Sequence, residues 1–264
     1  MHSYSYEQQD EFIFTLFDYK TSGYFIDVAC GHPILGNNTY ALDKNFGWSG
    51  LCFEIGDVRF SQYVSGQDMK TYSISWEKER KADLLLMDAT SIGFTDYLKS
   101  HCPKTVDYIS LDVDAAGVNL ALDVLNRILD ADVRFKAMTF EHEIYLNQRV
   151  QEPSRRLLES LGYKRLFGNV RLWGGGVHND QGCFSEDWWI DPNFFEPELL
   201  SIADDGLYFF DCVNRLKEYK KITQPVQHHC CQAYISEVDM FATEGSHSYH
   251  SHAIRTPGWK SANQ

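Results

Sequence analysis

Short apolar runs alternate along the chain with segments whose apolar residues recur at helical spacing. The runs predict strands at residues 24–29, 51–55, 83–87, 106–111, 135–140 and 163–170. The intervening patterns predict helices at residues 6–19, 39–46, 57–64, 94–101, 118–131 and 153–161. Strands that alternate with helices in this way form βαβ units, so an α/β fold with a mainly parallel, doubly wound sheet is expected.

The alternation weakens after about residue 175, where a run of three glycines spans residues 174–176. We therefore expect a main domain over residues 1–200 and a C-terminal extension over residues 201–264. The extension has one predicted helix at residues 208–220, followed by a mobile tail rich in His and Ser. The histidines and cysteines of this region match no zinc-binding spacing.

Charge and cysteine content narrow the classes of partner. The net charge of −13 argues against extended nucleic acid as a substrate, because phosphate contacts require Lys and Arg. The seven cysteines include no C-x-x-C pair, which favours reduced thiols in a cytoplasmic protein. The N-terminus does not resemble a signal peptide, and no apolar run approaches the ~20 residues of a membrane helix.

Acidic residues follow the predicted strands. Asp27 lies near the end of the first strand and Glu54 at the end of the second, and Asp88, Asp112 and Glu141 follow the third to fifth strands. In sheets of this kind, ligands bind beyond the carboxyl ends of the strands, near the point where the strand order reverses. The acids therefore predict a ligand site along that edge.

The turn after the first strand indicates the type of ligand. The segment FIDVACGHPILGNNT joins a strand to a helix start without the glycine pattern that binds a pyrophosphate, since Ala29, Gly31 and Pro33 occupy the turn. A nucleoside cofactor without phosphates is favoured, and Glu54 suits its ribose hydroxyls. The alternative is that Asp27 and Glu54 only cap neighbouring elements.

These segments resemble the FkbM-type methyltransferases. The similar motifs are FIDVAC, Asn38-Thr39, Gly47-Trp48 and CFE in residues 23–54, then VDYISLDVDAAG, TFEHE, SLGYKRLFGNV and SEDWWIDP. The resemblance covers roughly residues 20–195. It implies a Rossmann-like class I methyltransferase fold with S-adenosylmethionine bound between the ends of the first three strands.

The resemblance also implies which residues contact the cofactor. The first turn would face the methionine moiety, Glu54 would hold the ribose, and Asp88 with the Ala89 N–H would read the adenine edge. The complete implied set is Asp27, Ala29, Cys30, Gly31, Asn38, Glu54, Asp88, Ala89 and Asp112.

A second group of residues suggests the chemistry. Adjacent fourth and fifth strands would bring Asp112, Glu141 and His142 together as a catalytic cluster, which is similar to the metal sites of catechol-type methyltransferases. Oxygen-rich ligands favour Mg²⁺ or Mn²⁺, which would lower the pKa of a substrate hydroxyl. Without a metal, His142 would be the general base. The alternative is that His142 or Asp114 merely satisfies a neighbouring backbone group.

The expected function is O-methylation of a small hydroxyl-bearing acceptor, of the sugar or natural-product type, by a protein that could form a homodimer. Two alternatives stay open. The DVD sequence at residues 112–114 resembles the metal-binding motif of glycosyltransferases. A non-catalytic scaffold that binds the cofactor is the other.

Overall fold

The computed structural model describes residues 2–55, 76–113, 119–142, 144, 148–171, 184–222 and 227–228. Their strands are β1 (His2–Ser3), β2 (Tyr24–Val28), β3 (Ser49–Glu54), β4 (Asp83–Leu86), β5 (Thr105–Leu111), β6 (Arg134–Glu141), β7 (Lys164–Arg171), β8 (Phe184–Ile190), β9 (Asp204–Asp205) and β10 (Gln227–His228). Their α-helices are α1 (Gln9–Leu16), α2 (Tyr40–Phe46), α3 (Ile92–His101), α4 (Leu120–Asp130), α5 (Gln148–Ser160) and α6 (Phe209–Lys220). Two short 3₁₀ helices follow β8, at Pro192–Phe194 and Pro197–Ile202.

One large sheet organises the described residues. Its strand order is β4-β3-β2-β5-β6-β8-β7-β9, and β1 pairs separately with β10. The pairs from β4 to β6 are parallel, whereas β8 runs antiparallel to both β6 and β7. The chain proceeds outward from β2 in one direction and from β5 in the other, so the order reverses between these two strands. This confirms the predicted mainly parallel sheet, and the antiparallel β8 completes the class I methyltransferase topology.

Helices cover both faces of the sheet, as a doubly wound fold requires. Helices α1, α2 and α6 share one hydrophobic cluster with the sheet, and α3, α4 and α5 share the other. Representative buried side chains are Phe12, Leu42 and Leu216 in the first cluster and Phe94, Leu125 and Leu158 in the second. We call these two sides the α1 face and the α4 face.

Strand β8 was not predicted from the sequence. Its sequence FSEDWWI mixes acids and aromatics, and Glu186, Asp187, Trp188 and Trp189 are all buried. Trp188 packs in the α1-face cluster and Trp189 in the α4-face cluster. A strand that buries acids on both faces lacks the alternation of apolar and polar residues that identifies a half-exposed strand.

The first part of the predicted C-terminal extension packs on the main domain. Strand β9 pairs with β7, and α6 places Cys212, Val213 and Leu216 in the α1-face cluster. The predicted tail beyond residue 228 and the predicted helix at 57–64 lie outside the described residues. No helix in the described ranges is long and apolar enough to cross a membrane. Four of the seven cysteines are described, and these are free thiols.

Candidate active site

A row of polar side chains lies on the α1 face at the carboxyl ends of the strands. Asp27 is the register partner of Ser110, Ser110 of Thr139, and Glu141 of Glu186. Partners on neighbouring strands point to the same face, and residues two apart on one strand also share a face. The polar row therefore comprises Asp27, Glu54, Ser110, Asp112, Thr139, Glu141 and Glu186, all buried except the half-buried Asp112.

The turn after β2 leaves room for a ligand. Ala29 and Gly31 have φ angles of +59° and +60°, in the left-handed region. The N–H groups of Ala29 and Cys30 both donate to the Phe53 carbonyl, at 2.9 and 3.2 Å. Among the described residues, a Cβ added at Gly31 would meet the Ala29 carbonyl oxygen alone, at 4.0 Å, so none of their groups fills the space above this residue. A ligand can therefore approach the backbone of the turn closely.

Glu54 joins this turn to the end of β3. Its Oε2 accepts the N–H of Gly31 and its Oε1 accepts the N–H of Ile55, each at 2.9 Å. Burial raises the pKa of Glu54 to about 8 against the lowering effect of these two bonds, and the charges of Asp27 and Asp112 raise it further. Donor groups from a ligand would stabilise the buried carboxylate.

Two exposed apolar residues adjoin Glu54, one along the chain and one by register; no sequence pattern indicated them, and we call Ile55 and Leu86 the apolar platform. Ile55 follows the acid directly and Leu86 is the register partner of Glu54, and each is 43% exposed. A flat aromatic ring such as a purine could cover this surface while its attached sugar reached Glu54. An apolar residue immediately after the acid at the end of the second predicted strand is the signal that could have identified it.

Hydrogen bonds connect the segment before α2 to the polar row. The Thr39 hydroxyl donates to Asp27 Oδ2 at 2.7 Å, and Asn38 Nδ2 donates to Ser110 Oγ at 3.0 Å and Asp112 Oδ2 at 3.2 Å. Burial raises the pKa of Asp27 to about 6, although the hydrogen bond from Thr39 opposes the rise. The buried Oδ1 of Asn38 has no hydrogen-bond partner in the described part of the chain. The structure thus brings the predicted residues Asp27, Asn38 and Asp112 together.

The side chain of Arg80 also fixes this segment through hydrogen bonds. No sequence pattern indicated this residue. Its buried guanidinium donates from Nε to Asp43 Oδ2 at 2.9 Å and from Nη1 to the Pro33 carbonyl at 3.1 Å. It also donates to Asn37 Oδ1 and Thr39 Oγ1, each at 2.9 Å. One side chain therefore fixes the loop between β2 and α2 against the start of α2.

Asp88 and Ala89 occupy the turn between β4 and α3. The exposed Asp88 accepts the N–H and the hydroxyl of Thr90 at Oδ1, at 2.8 and 2.7 Å. Its carbonyl accepts the N–H and hydroxyl of Ser91, at 3.1 and 2.7 Å. The half-buried Ala89 packs against the α4-face cluster. The structure explains Asp88 as a turn residue, and the adenine contact stays a prediction.

His142 lies on the other side of the sheet from the polar row. Its ring is fully buried, with Nε2 at 3.2 Å from Gln151 Nε2 and 3.5 Å from Asp187 Oδ1. Arg155 also donates to both oxygens of Asp187, at 2.7 and 2.8 Å. Burial alone would raise the pKa of Asp187, but the hydrogen bonds from Arg155 and His142 outweigh burial and lower it.

The predicted catalytic cluster must therefore be corrected. Glu141 belongs to the α1 face, whereas His142 meets α5 and Asp187, the register partner of Phe140, on the α4 face. Consecutive residues at a strand end point to opposite faces, which separates His142 from Asp112 and Glu141. Among the described residues, no three His, Cys, Asp or Glu side chains are grouped to hold a metal ion. The predicted Mg²⁺ or Mn²⁺ site is thus not supported, and Asp114 lies outside these residues.

The N-terminal segment, residues 3–8, covers the site and was not predicted to contribute. A Cβ added at Gly36 would lie 2.0 Å from the Tyr6 ring, so this ring lies directly against the loop after β2. Tyr4 packs edge-on against Tyr40 of α2, with ring centroids 4.6 Å apart. Glu7 is buried and hydrogen-bonds to Glu186 of the polar row. The segment therefore contacts Glu186 of the polar row as well as the loop and the helix that follow β2.

Comparison with known proteins gives similarities to solved structures only, since no protein-family model and no curated protein matches the chain. A Streptococcus pneumoniae protein assigned as a tRNA methyltransferase is 13% identical, with 91% of this chain and 90% of that chain covered and a TM-score of 0.43. The N-methyltransferase NodS from Bradyrhizobium japonicum is 8% identical, with 70% and 95% covered and a TM-score of 0.43. The plantazolicin methyltransferase BamL, solved with a triazolic desmethylPZN analogue and SAH, is 12% identical, with 70% and 82% covered and a TM-score of 0.43.

The class of the protein is defined by its own strand order and by the acids at its strand ends. It is an α/β protein with the Rossmann-like class I methyltransferase fold. The resemblance to the FkbM-type family stays a prediction, because no family model matches the sequence.

Proposed function

We propose that the protein is a methyltransferase that uses S-adenosylmethionine to methylate a hydroxyl oxygen of a small acceptor. The observation that carries the proposal is the arrangement around Glu54. A buried carboxylate bonded to the Gly31 and Ile55 N–H groups lies between an open turn and an apolar platform. This combination suits a nucleoside that lacks a pyrophosphate. The FkbM resemblance supports a hydroxyl acceptor of the sugar or natural-product type.

The residues present fit this cofactor. Glu54 accepts the ribose hydroxyls, and the side chains of Ile55 and Leu86 cover one face of the adenine. The open space above Gly31 admits the methionine moiety, whose amino group can donate to the unpartnered Asn38 Oδ1. When bound, S-adenosylmethionine supplies an electrophilic methyl group on a positively charged sulfur.

Asp112 is the residue that we propose next to the reacting oxygen. Its charge raises the pKa values of Asp27 and Glu54 at one end of the polar row and of Glu186 at the other. Asp112 therefore lies within electrostatic reach of both ends of the row. It is half-buried, and Asn38 orients its Oδ2. A hydroxyl is a poor nucleophile at neutral pH, so a positioned base that accepts its proton accelerates attack. In this proposal Asp112 replaces His142 as the general base.

Calorimetry with S-adenosylhomocysteine tests the cofactor assignment, and a uridine diphosphate sugar serves as the competing ligand. We expect the wild-type protein and Glu159→Gln, at an exposed position on α5, to bind S-adenosylhomocysteine equally. Binding of the nucleotide sugar instead would contradict the proposal and favour a glycosyltransferase.

Turnover tests the assigned base. Asp112→Asn should lower the rate of methyl transfer to a hydroxyl acceptor by about 10²–10⁴-fold, while the protein stays folded and binds S-adenosylhomocysteine. EDTA is included as a separate arm, and loss of turnover that added Mg²⁺ restores would mean that a metal activates the hydroxyl. An Asp112→Asn protein with wild-type turnover would remove Asp112 from the mechanism.

A further inference from the structure

His32 lies in the turn after β2, directly after Gly31 and the space above it that no described group fills. Its ring is half-buried, and its Nδ1 atom accepts two backbone N–H groups, from Ile34 at 3.1 Å and from Leu35 at 3.0 Å. A ring nitrogen that accepts these hydrogen bonds carries no proton, so the hydrogen of the neutral ring is on Nε2. The backbone of the loop thus fixes which nitrogen of His32 is the donor.

The surroundings of His32 keep its ring neutral. Burial lowers the pKa of the imidazole. Protonation would also place a hydrogen on Nδ1, where the N–H groups of Ile34 and Leu35 already point. His32 is therefore a hydrogen-bond donor through Nε2 and not a general base.

Neighbouring side chains hold the backbone on both sides of His32. Asn37 Nδ2 donates to the carbonyls of Cys30 and His32, at 2.8 and 3.1 Å. Arg80 donates to the Pro33 carbonyl at 3.1 Å and to Asn37 Oδ1 at 2.9 Å. The Nε2–H donor is thus presented from a fixed loop, and little conformational entropy is lost when a ligand accepts from it.

The donor of His32 is available to a ligand. Its Nε2 atom has no hydrogen-bond partner in the described part of the chain. The buried side-chain atoms that lack a partner there do not include Nε2, so a ligand can reach it.

The polar row meets the same turn through Glu54, which accepts the Gly31 N–H. Most members of the row are acids, which accept hydrogen bonds when ionised and repel a further negative charge. A ligand that carries both an ammonium group and a carboxylate therefore needs a donor outside the row for its carboxylate. His32 offers this donor from the same loop in which Asn38 Oδ1 offers an acceptor for the ammonium group.

We propose that the Nε2–H group of His32 binds the carboxylate of the methionine moiety of the cofactor. The inference rests on the proposed function, because it adds a contact within the same cofactor site. The donor of His32 and the acceptor of Asn38 together complement the two charged groups of an α-amino acid. His32 thereby selects S-adenosylmethionine over adenosine derivatives that lack the carboxylate.

Two ligands that differ only in the carboxylate test this contact. S-adenosylhomocysteine is compared by calorimetry with its decarboxylated analogue, which keeps the adenosine, the sulfur and the amine. Wild type should bind S-adenosylhomocysteine about 10–150-fold more tightly than the analogue, as a hydrogen bond to a charged group implies. Equal affinities for the two ligands would overturn the inference. Binding of neither ligand would instead overturn the proposed function.

Two substitutions separate the roles of the two ring nitrogens. An asparagine Oδ1 can accept the N–H groups of Ile34 and Leu35 as Nδ1 does, but its side chain is too short to reach the position of Nε2. His32→Asn should therefore keep the wild-type Tm and lose the preference for the carboxylate. A glutamine can place an amide N–H near the position of Nε2, so His32→Gln should recover part of the preference at a lower Tm.

His101→Asn, at the exposed end of α3, is the matched control and should keep both the Tm and the preference. An unchanged preference in His32→Asn would overturn the inference. An equal loss of affinity for both ligands in this variant would also overturn it, and His32 would then be a structural residue of the loop.

Discussion

Replacing Glu54 by glutamine tests the cofactor site through one defined change. The two carboxylate oxygens accept the N–H groups of Gly31 and Ile55, each at 2.9 Å. An amide has a single oxygen, so in Glu54→Gln its NH₂ group must face one of these N–H groups and can no longer accept a ribose hydroxyl. Loss of a hydrogen bond to a charged group costs about 1.5–3 kcal/mol. We expect the Kd for S-adenosylhomocysteine to rise by about 10–150-fold.

The wild-type affinity should also depend on pH with a definite sign. Burial raises the pKa of Glu54 to about 8 in the ligand-free protein. Ribose hydroxyls donate to the charged form, so ligand binding lowers this pKa, and the complex holds fewer protons than the free protein below pH 8. Affinity should therefore rise as the pH increases toward about 8 and level off above it. The glutamine variant lacks this titration and should lose this part of the pH dependence.

Calorimetry across this pH range measures both effects, with Glu159→Gln as the matched control. Unfolding in urea separates weak binding from misfolding. A folded-state pKa above the ordinary value means that this part of the stability is fully present at low pH and is lost as the pH rises through about 8, and ligand-free Glu54→Gln should lack this pH-dependent loss. Wild-type affinity in Glu54→Gln would refute the assigned role of Glu54.

Three further substitutions probe the surroundings of the site. Arg80→Met should lower the free energy of unfolding by about 3–5 kcal/mol in urea denaturation, because it leaves the buried Asp43 without its ion-pair partner. A change below ~1 kcal/mol would contradict this expectation. Ala29→Gly should leave the stability unchanged or raise it by up to about 1 kcal/mol, because the φ angle of +59° is strained for alanine and not for glycine. Clear destabilisation in the same assay would show that the backbone of Ala29 is not strained. His142→Ala should lower the free energy of unfolding by about 1–3 kcal/mol, because Asp187 loses a hydrogen-bond partner. If the variant also lost turnover by ~10²-fold per folded molecule, His142 would again be the candidate general base.

The sequence by itself predicted the parallel half of the sheet and the positions of its acids. Apolar runs that alternate with helical patterns predict βαβ units; Asp27 and Glu54 lie near the ends of such runs, and Asp112 and Glu141 follow theirs directly. Parallel strands end at one edge of a sheet, so acids at their ends converge whatever the details of packing. The turn after β2 was located for the same reason, since it immediately follows the first strand.

Only the tertiary structure decided which face each of these side chains occupies and what else joins them. Register places Glu141 beside Glu186 of the inserted strand β8, while one step along the chain sends His142 to the opposite face. Glu7 and Arg80 match no motif of the sequence, and they reach the site because packing of distant parts of the chain brings them there. Hydrophobic periodicity reports which residues are buried, but partners far apart in sequence are set by the register and packing of the complete sheet.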